Sequence, residues 1–142
     1  MKTINSQGLE LLKRFEGCRL KAYKDIVGIW TIGYGHIARV YPGQTITQEE
    51  ADQLLEEDLR HFESGVSSFV KVNLTDNQFS ALVCFSYNVG LGSLLKSHLL
   101  KRVNTEDFRG AAQEFLRWDS AGGVVRRSLL VRREAERALF LS

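Results

Sequence analysis

Proline and cysteine are nearly absent from this chain: of 142 residues one is Pro and two are Cys. A single proline beside twelve glycines excludes collagen-like and proline-rich disordered classes. Cys18 and Cys84 are too few for a disulfide framework and lack the close spacing of a zinc or redox motif, so each reads as a small buried thiol. His36, His61 and His98 are scattered without metal-ligand spacing, and neither a metal nor any other cofactor is expected. Long apolar runs are also missing. Nothing approaches the ~20 residues that cross a bilayer, and the opening MKTINSQGLELLKRFEG is interrupted by charge where a secretory segment is apolar. The expectation is synthesis in the cytoplasm without a signal peptide, no stable membrane insertion, and a separate release step for any action outside the cell.

What is present is ordinary for a globular protein, 44% hydrophobic and 25% charged, at a length matching one domain over residues 1–142. Such a length buries roughly two thirds of the unfolded surface, enough to fold without a staple. The net charge of +2 is unevenly placed. Seven acids and one Arg lie between Ile46 and Glu63, whereas six arginines, at 117, 126, 127, 132, 133 and 137, crowd the last 26 residues. A basic end of this kind favours an anionic partner such as a cell-wall polymer, phosphate or nucleic acid. An equally ordinary reading is a solvated helix face with local ion pairs, Arg132 with Glu136 among them.

Leu9, Leu11, Leu12 and Phe15 after the polar Asn5-Ser6 predict a short amphipathic helix that stops at Gly17, with Glu16 in its last turn. From Leu20 to Ile37 β-branched and aromatic residues alternate around Gly28, Gly33 and Gly35, the one convincing β segment, and these glycines read as hairpin punctuation only. Thr47-Gln48-Glu49-Glu50 is a capping box opening a helix to about Ser64. Thr75-Asp76-Asn77-Gln78 is another, and the helix after it is apolar on nearly all sides to Val89, the mark of a core helix. Further helices are expected through Leu94–Val103, after Thr105-Glu106-Asp107, and from about Leu129 to Leu141. The fold class is α+β, mainly α: a small β-hairpin lobe at about 18–46, a connecting helix at about 47–64, and a helical lobe from 1–17 with about 65–142.

Glycoside cleavage needs a carboxylic acid to protonate the leaving oxygen and a polar group across the sugar to deal with the oxocarbenium-like centre. Glu16 ends a helix, where the dipole disfavours its anion, and Asp25 lies nine residues on at the hairpin mouth, a wetter place. Alone that pair is weak, because an Asp and a Glu at such spacing are usually solvated surface residues.

The stretch from Phe15 to His36, FEGCRLKAYKDIVGIWTIGYGH, closely resembles the phage-type lysozymes of T-even and lambdoid endolysins, glycoside hydrolase family 24. That family sets Glu, then Asp nine positions later, then Thr six further on, and Glu16, Asp25 and Thr31 match all three. The resemblance continues through Pro42-Gly43, Ile46-Thr47, FSYNVGLGSLLKSHLLKRVN from Phe85, RWDSAGG from Arg117 and VRREAERALF from Val131, covering essentially the full chain. It implies two lobes with a cleft between them and hydrolysis of the β-1,4 bond between N-acetylmuramic acid and N-acetylglucosamine in bacterial peptidoglycan, with inversion expected. It also implies Glu16, Asp25 and Thr31 as catalytic residues, substrate contacts from Tyr87, Asn88 and Arg117, a structural ion pair between His36 and Asp58, a monomer, and holin-dependent release to the wall. The chain departs from many relatives at Ile37-Ala38, where Thr-Gly often stands, and at Val124 to Ser128, where Lys, a Leu-Pro and a Gly are replaced and positive charge is added.

A lytic transglycosylase needs the Glu but neither the Asp nor the Thr. A non-catalytic wall- or membrane-binding protein acting through the arginine-rich last helix has Phe140 as its one aromatic anchor there. A nucleic-acid module lacks interleaved stacking aromatics, and no nucleic-acid partner is expected.

Overall fold

The structure is a computed structural model and describes residues 2–142. Helix α1 (Ser6–Glu16) is opened by the Asn5 side chain, which accepts from the Gly8 N–H at 2.9 Å, and is stopped by Gly17 at φ +67°. The chain turns directly into β1 (Arg19–Lys24), which pairs antiparallel with β2 (Trp30–Gly33), setting Tyr23 opposite Thr31. The segment before the next helix lies along the other edge of β1, where the Ile46 N–H donates to Leu20 O at 2.8 Å.

Helix α2 (Gln48–Phe69) follows, opened by the capping box at Thr47 and Glu50. It runs five residues beyond the expected end at Ser64, to Phe69, because Val66 stays in the core and carries the apolar face past Ser64. Most of its acids face water, so this negative face is a solvated one; Glu63, buried, accepts the Ile4 N–H at 2.7 Å and ties down the N-terminal segment. Helix α3 (Asp76–Val89) is the centre of the molecule, with Phe79 to Ser86 buried without interruption. It packs on α1, on α2 and most extensively on the last helix.

The single helix expected through Leu94–Val103 is two, α4 (Leu91–Lys96) and α5 (His98–Asn104). Ser97 separates them: its hydroxyl donates to Leu94 O at 2.7 Å and accepts from Leu100 N at 3.0 Å, closing one helix and opening the next. After α6 (Phe108–Phe115) comes a feature not foreseen, a second hairpin of β3 (Ser120–Ala121) and β4 (Val124–Val125), turned by Gly122 and Gly123 at positive φ. Two residues per strand are too few for an alternating pattern to register. Helix α7 (Arg127–Leu141) begins without a side-chain cap. The architecture is α+β, mainly helical, with a small hairpin lobe and a larger helical lobe.

Candidate active site

Glu16 is delivered by the end of α1 and is mostly covered, its side chain 16% exposed. Two features frame its carboxylate. On one side Arg132 Nη1 of α7 donates to Oε2 at 2.6 Å. On the other lies Gly35, φ +79°, where a Cβ would stand 2.8 Å from Oε1. The expectation that Gly35 merely punctuates the hairpin is therefore incomplete: the position needs glycine for its backbone and also for clearance from Glu16.

Asp25 sits at the head of the β1–β2 turn. Its Oδ1 accepts the N–H groups of Val27 at 3.0 Å and Ile29 at 2.9 Å, while its own N–H donates to Ile29 O at 2.9 Å. Thr31 is buried, 4% exposed, and its hydroxyl donates to that same Ile29 carbonyl at 2.9 Å. One carbonyl thus fixes both the Asp25 backbone and the Thr31 hydroxyl. Tyr23, opposite Thr31, connects this turn to Glu16: burial pushes its phenol up, Arg19 beside it pulls it down, and the Glu16 and Asp25 carboxylates both push it up. Both acids thus act on the same tyrosine of β1.

Tyr87, near the end of α3, lines a pocket of about 310 Å³ together with Gly35, His36, Asp58 and Phe62. Its hydroxyl donates to Tyr34 O at 2.5 Å and its ring packs on Phe62 at 5.1 Å between centroids. Burial raises the Tyr87 phenol first, with Asp58 and Glu16 adding to the effect and Arg132 opposing it. His36 Nδ1 is 2.8 Å from Asp58 Oδ2, and Nε2 is 2.9 Å from Ala38 O. The pair clips the hairpin lobe to α2. A larger depression of about 460 Å³, between the end of α2 and Phe79, is lined by no carboxylate.

Asn88 is exposed, and its Oδ1 accepts from Arg133 Nη2. Arg117 is placed apart from these groups. It is 70% exposed, pairs with Glu114 at 3.3 Å and lines a separate depression with Ser97, His98 and Trp118. The other arginines of the basic end differ in burial. Arg126 and Arg127 are exposed, but Arg132 and Arg133 are only 4% and 1% exposed and lie in the core, which removes them from any wall-facing basic surface. The pairing of Arg132 with Glu136, 3.0 Å, is present yet buried, unlike the solvated pair anticipated. Arg132 at Glu16 is the contact that sequence reading missed. Its only sequence signal was an apolar helix face that carries Arg, Arg and Glu at 132, 133 and 136, where burial demands mutual pairing.

A family model described as phage lysozyme matches residues 13–136, most of the chain, with Glu16, Asp25 and Thr31 inside the match. The chain belongs to the phage lysozyme family. It is 45% identical to the endolysin of Salmonella phage P22, with both proteins covered in full. It is 49% identical to the endolysin of Bacillus phage B103 over 98% of this chain and 54% of that protein, so it spans about half the length of that relative. Among solved structures, the muramidase domain of SpmX from Asticaccaulis excentricus superposes with a TM-score of 0.94 at 40% identity, covering 100% of this chain and 99% of that one. Glu16 thus ends the helix that leads into the hairpin carrying Asp25 and Thr31, and Arg117 lies in a different depression.

Proposed function

We propose that this phage lysozyme hydrolyses the β-1,4 bond between N-acetylmuramic acid and N-acetylglucosamine in peptidoglycan, with inversion at the anomeric carbon. The observation that carries the reading is the shared anchoring of Asp25 and Thr31 on the Ile29 carbonyl, in the hairpin that directly follows the helix ending at Glu16. Glu16 is the general acid: Arg132 holds Oε2, and Oε1, beside the open space at Gly35, delivers the proton to the leaving oxygen. Asp25 Oδ1 is already occupied by two backbone donors, which leaves Oδ2 to accept a proton from water. The Thr31 proton is committed to Ile29 O, so its oxygen acts as an acceptor. A water that donates to both has a lone pair free for the anomeric carbon. Tyr87 and Asn88 contact the glycan from α3, and Arg117 adds an outlying contact. In this reading the protein is made in the cytoplasm and reaches the wall when a holin opens the membrane.

Mass analysis of muropeptides released from purified peptidoglycan tests the activity. Hydrolysis gives reducing sugar ends; anhydro ends identify a transglycosylase, and no release reduces the protein to a binder.

A further inference from the structure

The deepest charges in this protein are not at the cleft surface. Glu136 is fully buried on α7, and its two oxygens are divided between two arginines: Oε2 accepts from Arg132 Nε at 3.0 Å and Oε1 from Arg133 Nη1 at 2.6 Å. Each arginine then reaches onward. Arg132 donates to Glu16 Oε2 at 2.6 Å and to Cys84 O at 2.9 Å. Arg133 donates to Trp118 O at 2.9 Å and to Asn88 Oδ1, with its guanidinium over the Phe85 ring at 5.0 Å. A buried carboxylate held by two guanidiniums is an expensive arrangement for stability alone, since apolar residues of the same volume do as well or better.

We infer that Glu136 is a positioning residue that sets the charge seen by the Glu16 carboxyl through Arg132, in a four-member cluster balanced by Arg133. The inference rests on Glu16 being the general acid. With Glu16 ionised the cluster holds two positive and two negative charges, and with Glu16 protonated it carries one excess positive charge. A change in either one of the two members remote from Glu16 therefore shifts how readily Glu16 keeps its proton. Around Glu16 stand Arg132, bonded to it, with Glu136 and Arg133 of α7 behind, and Tyr87 and Cys84 of α3 and Tyr23 of β1, whose ionisation its carboxylate opposes. Glu136 and Arg133 do not bond Glu16 themselves: Glu136 reaches it through Arg132, and Arg133 through Glu136.

The signs are opposite for the two removals. Glu136→Gln leaves two positive charges against Glu16 alone, stabilises its anion and moves the alkaline limb of the kcat–pH profile down by about one pH unit. Arg133→Met leaves one positive charge beside two carboxylates and moves the same limb up by about one unit. The double variant removes both remote members and returns the limb to the wild-type position. Measuring kcat against pH on soluble, uncrosslinked peptidoglycan chains, with circular dichroism to confirm folding, reads all three. If Glu136→Gln alone does not fold, Arg133→Met and the double variant still carry the test, because the upward shift must appear in one and vanish in the other. Limbs that stay put, or that move in the same direction in both single variants, overturn the inference for an active wild type. A wild type that generates no reducing ends overturns the functional reading itself.

Discussion

The β1–β2 hairpin and helix α7 flank the same carboxylate, and they are built on opposite principles. The hairpin presents Asp25 and Thr31 through hydrogen bonds that span no more than four residues, at a partly exposed turn. Helix α7 presents Arg132 to Glu16 from 116 positions away, inside the core. Local backbone geometry holds the first; mutual charge compensation holds the second. The consequence differs as well. An exposed ion pair such as Arg60 with Glu56 contributes about 0–1 kcal/mol, whereas removing one partner from a buried cluster costs about 3–5 kcal/mol. The hairpin is thus open to replacements that change chemistry alone, while α7 couples chemistry to stability.

The sharpest break in that comparison is at the residue both sides share. Glu16→Gln keeps the shape of the side chain but cannot supply the proton, and wall lysis falls by ~100 to 10,000-fold or more while the fold is retained. Turbidity loss of cell-wall suspensions checks this, and near-normal lysis by folded Glu16→Gln protein removes Glu16 from the mechanism. Next comes Gly35→Ala, which sets a methyl 2.8 Å from Glu16 Oε1 on a backbone that disfavours side chains. It lowers kcat on soluble glycan by at least ~10-fold through displaced geometry; unchanged kcat shows that Glu16 acts from elsewhere.

Thr31→Val probes the hairpin alone. The replacement is nearly isosteric and loses the hydroxyl bonded to Ile29 O, so kcat falls about 10-fold or more while KM changes little. A rise in KM with constant kcat assigns Thr31 to binding. The smallest effect is expected on the exposed start of α7, where Arg126→Glu with Arg127→Glu weakens sedimentation with peptidoglycan and flattens its salt dependence, leaving cleavage of short oligosaccharides unaltered. An unchanged salt response removes these arginines from wall binding.

The same contrast explains what was legible in the sequence. The triplet Glu16, Asp25 and Thr31 followed from the family resemblance, because Glu16 and Asp25 alone were a weak signal; the structure sets them at one helix end and in one hairpin. The capping boxes at Thr47 and Thr75 were readable because their pattern is local, as was the all-apolar α3. The His36–Asp58 pair followed from family resemblance and is present at 2.8 Å. Arg132 and Arg133 were read either as part of a basic end or, in Arg132 with Glu136, as a solvated ion pair, because charge counts carry no information on burial. The break at Ser97 was hidden because Leu95 and Leu99, four apart, keep helical spacing across it, and the Ser97 hydroxyl bonds reveal two helices. Gly35 looked like any hairpin glycine until the Glu16 carboxylate was placed beside it.

The central claim is that the hairpin activates a water and does not itself attack the sugar. A hydroxyl fixed beside Asp25 has little use if Asp25 is the nucleophile, but it completes a two-acceptor cradle for water. Proton NMR of the first-formed product from soluble peptidoglycan chains, recorded before mutarotation, tests this directly. The account predicts the α anomer. The β anomer, or a glycosyl-enzyme trapped on wild-type Asp25, would contradict it.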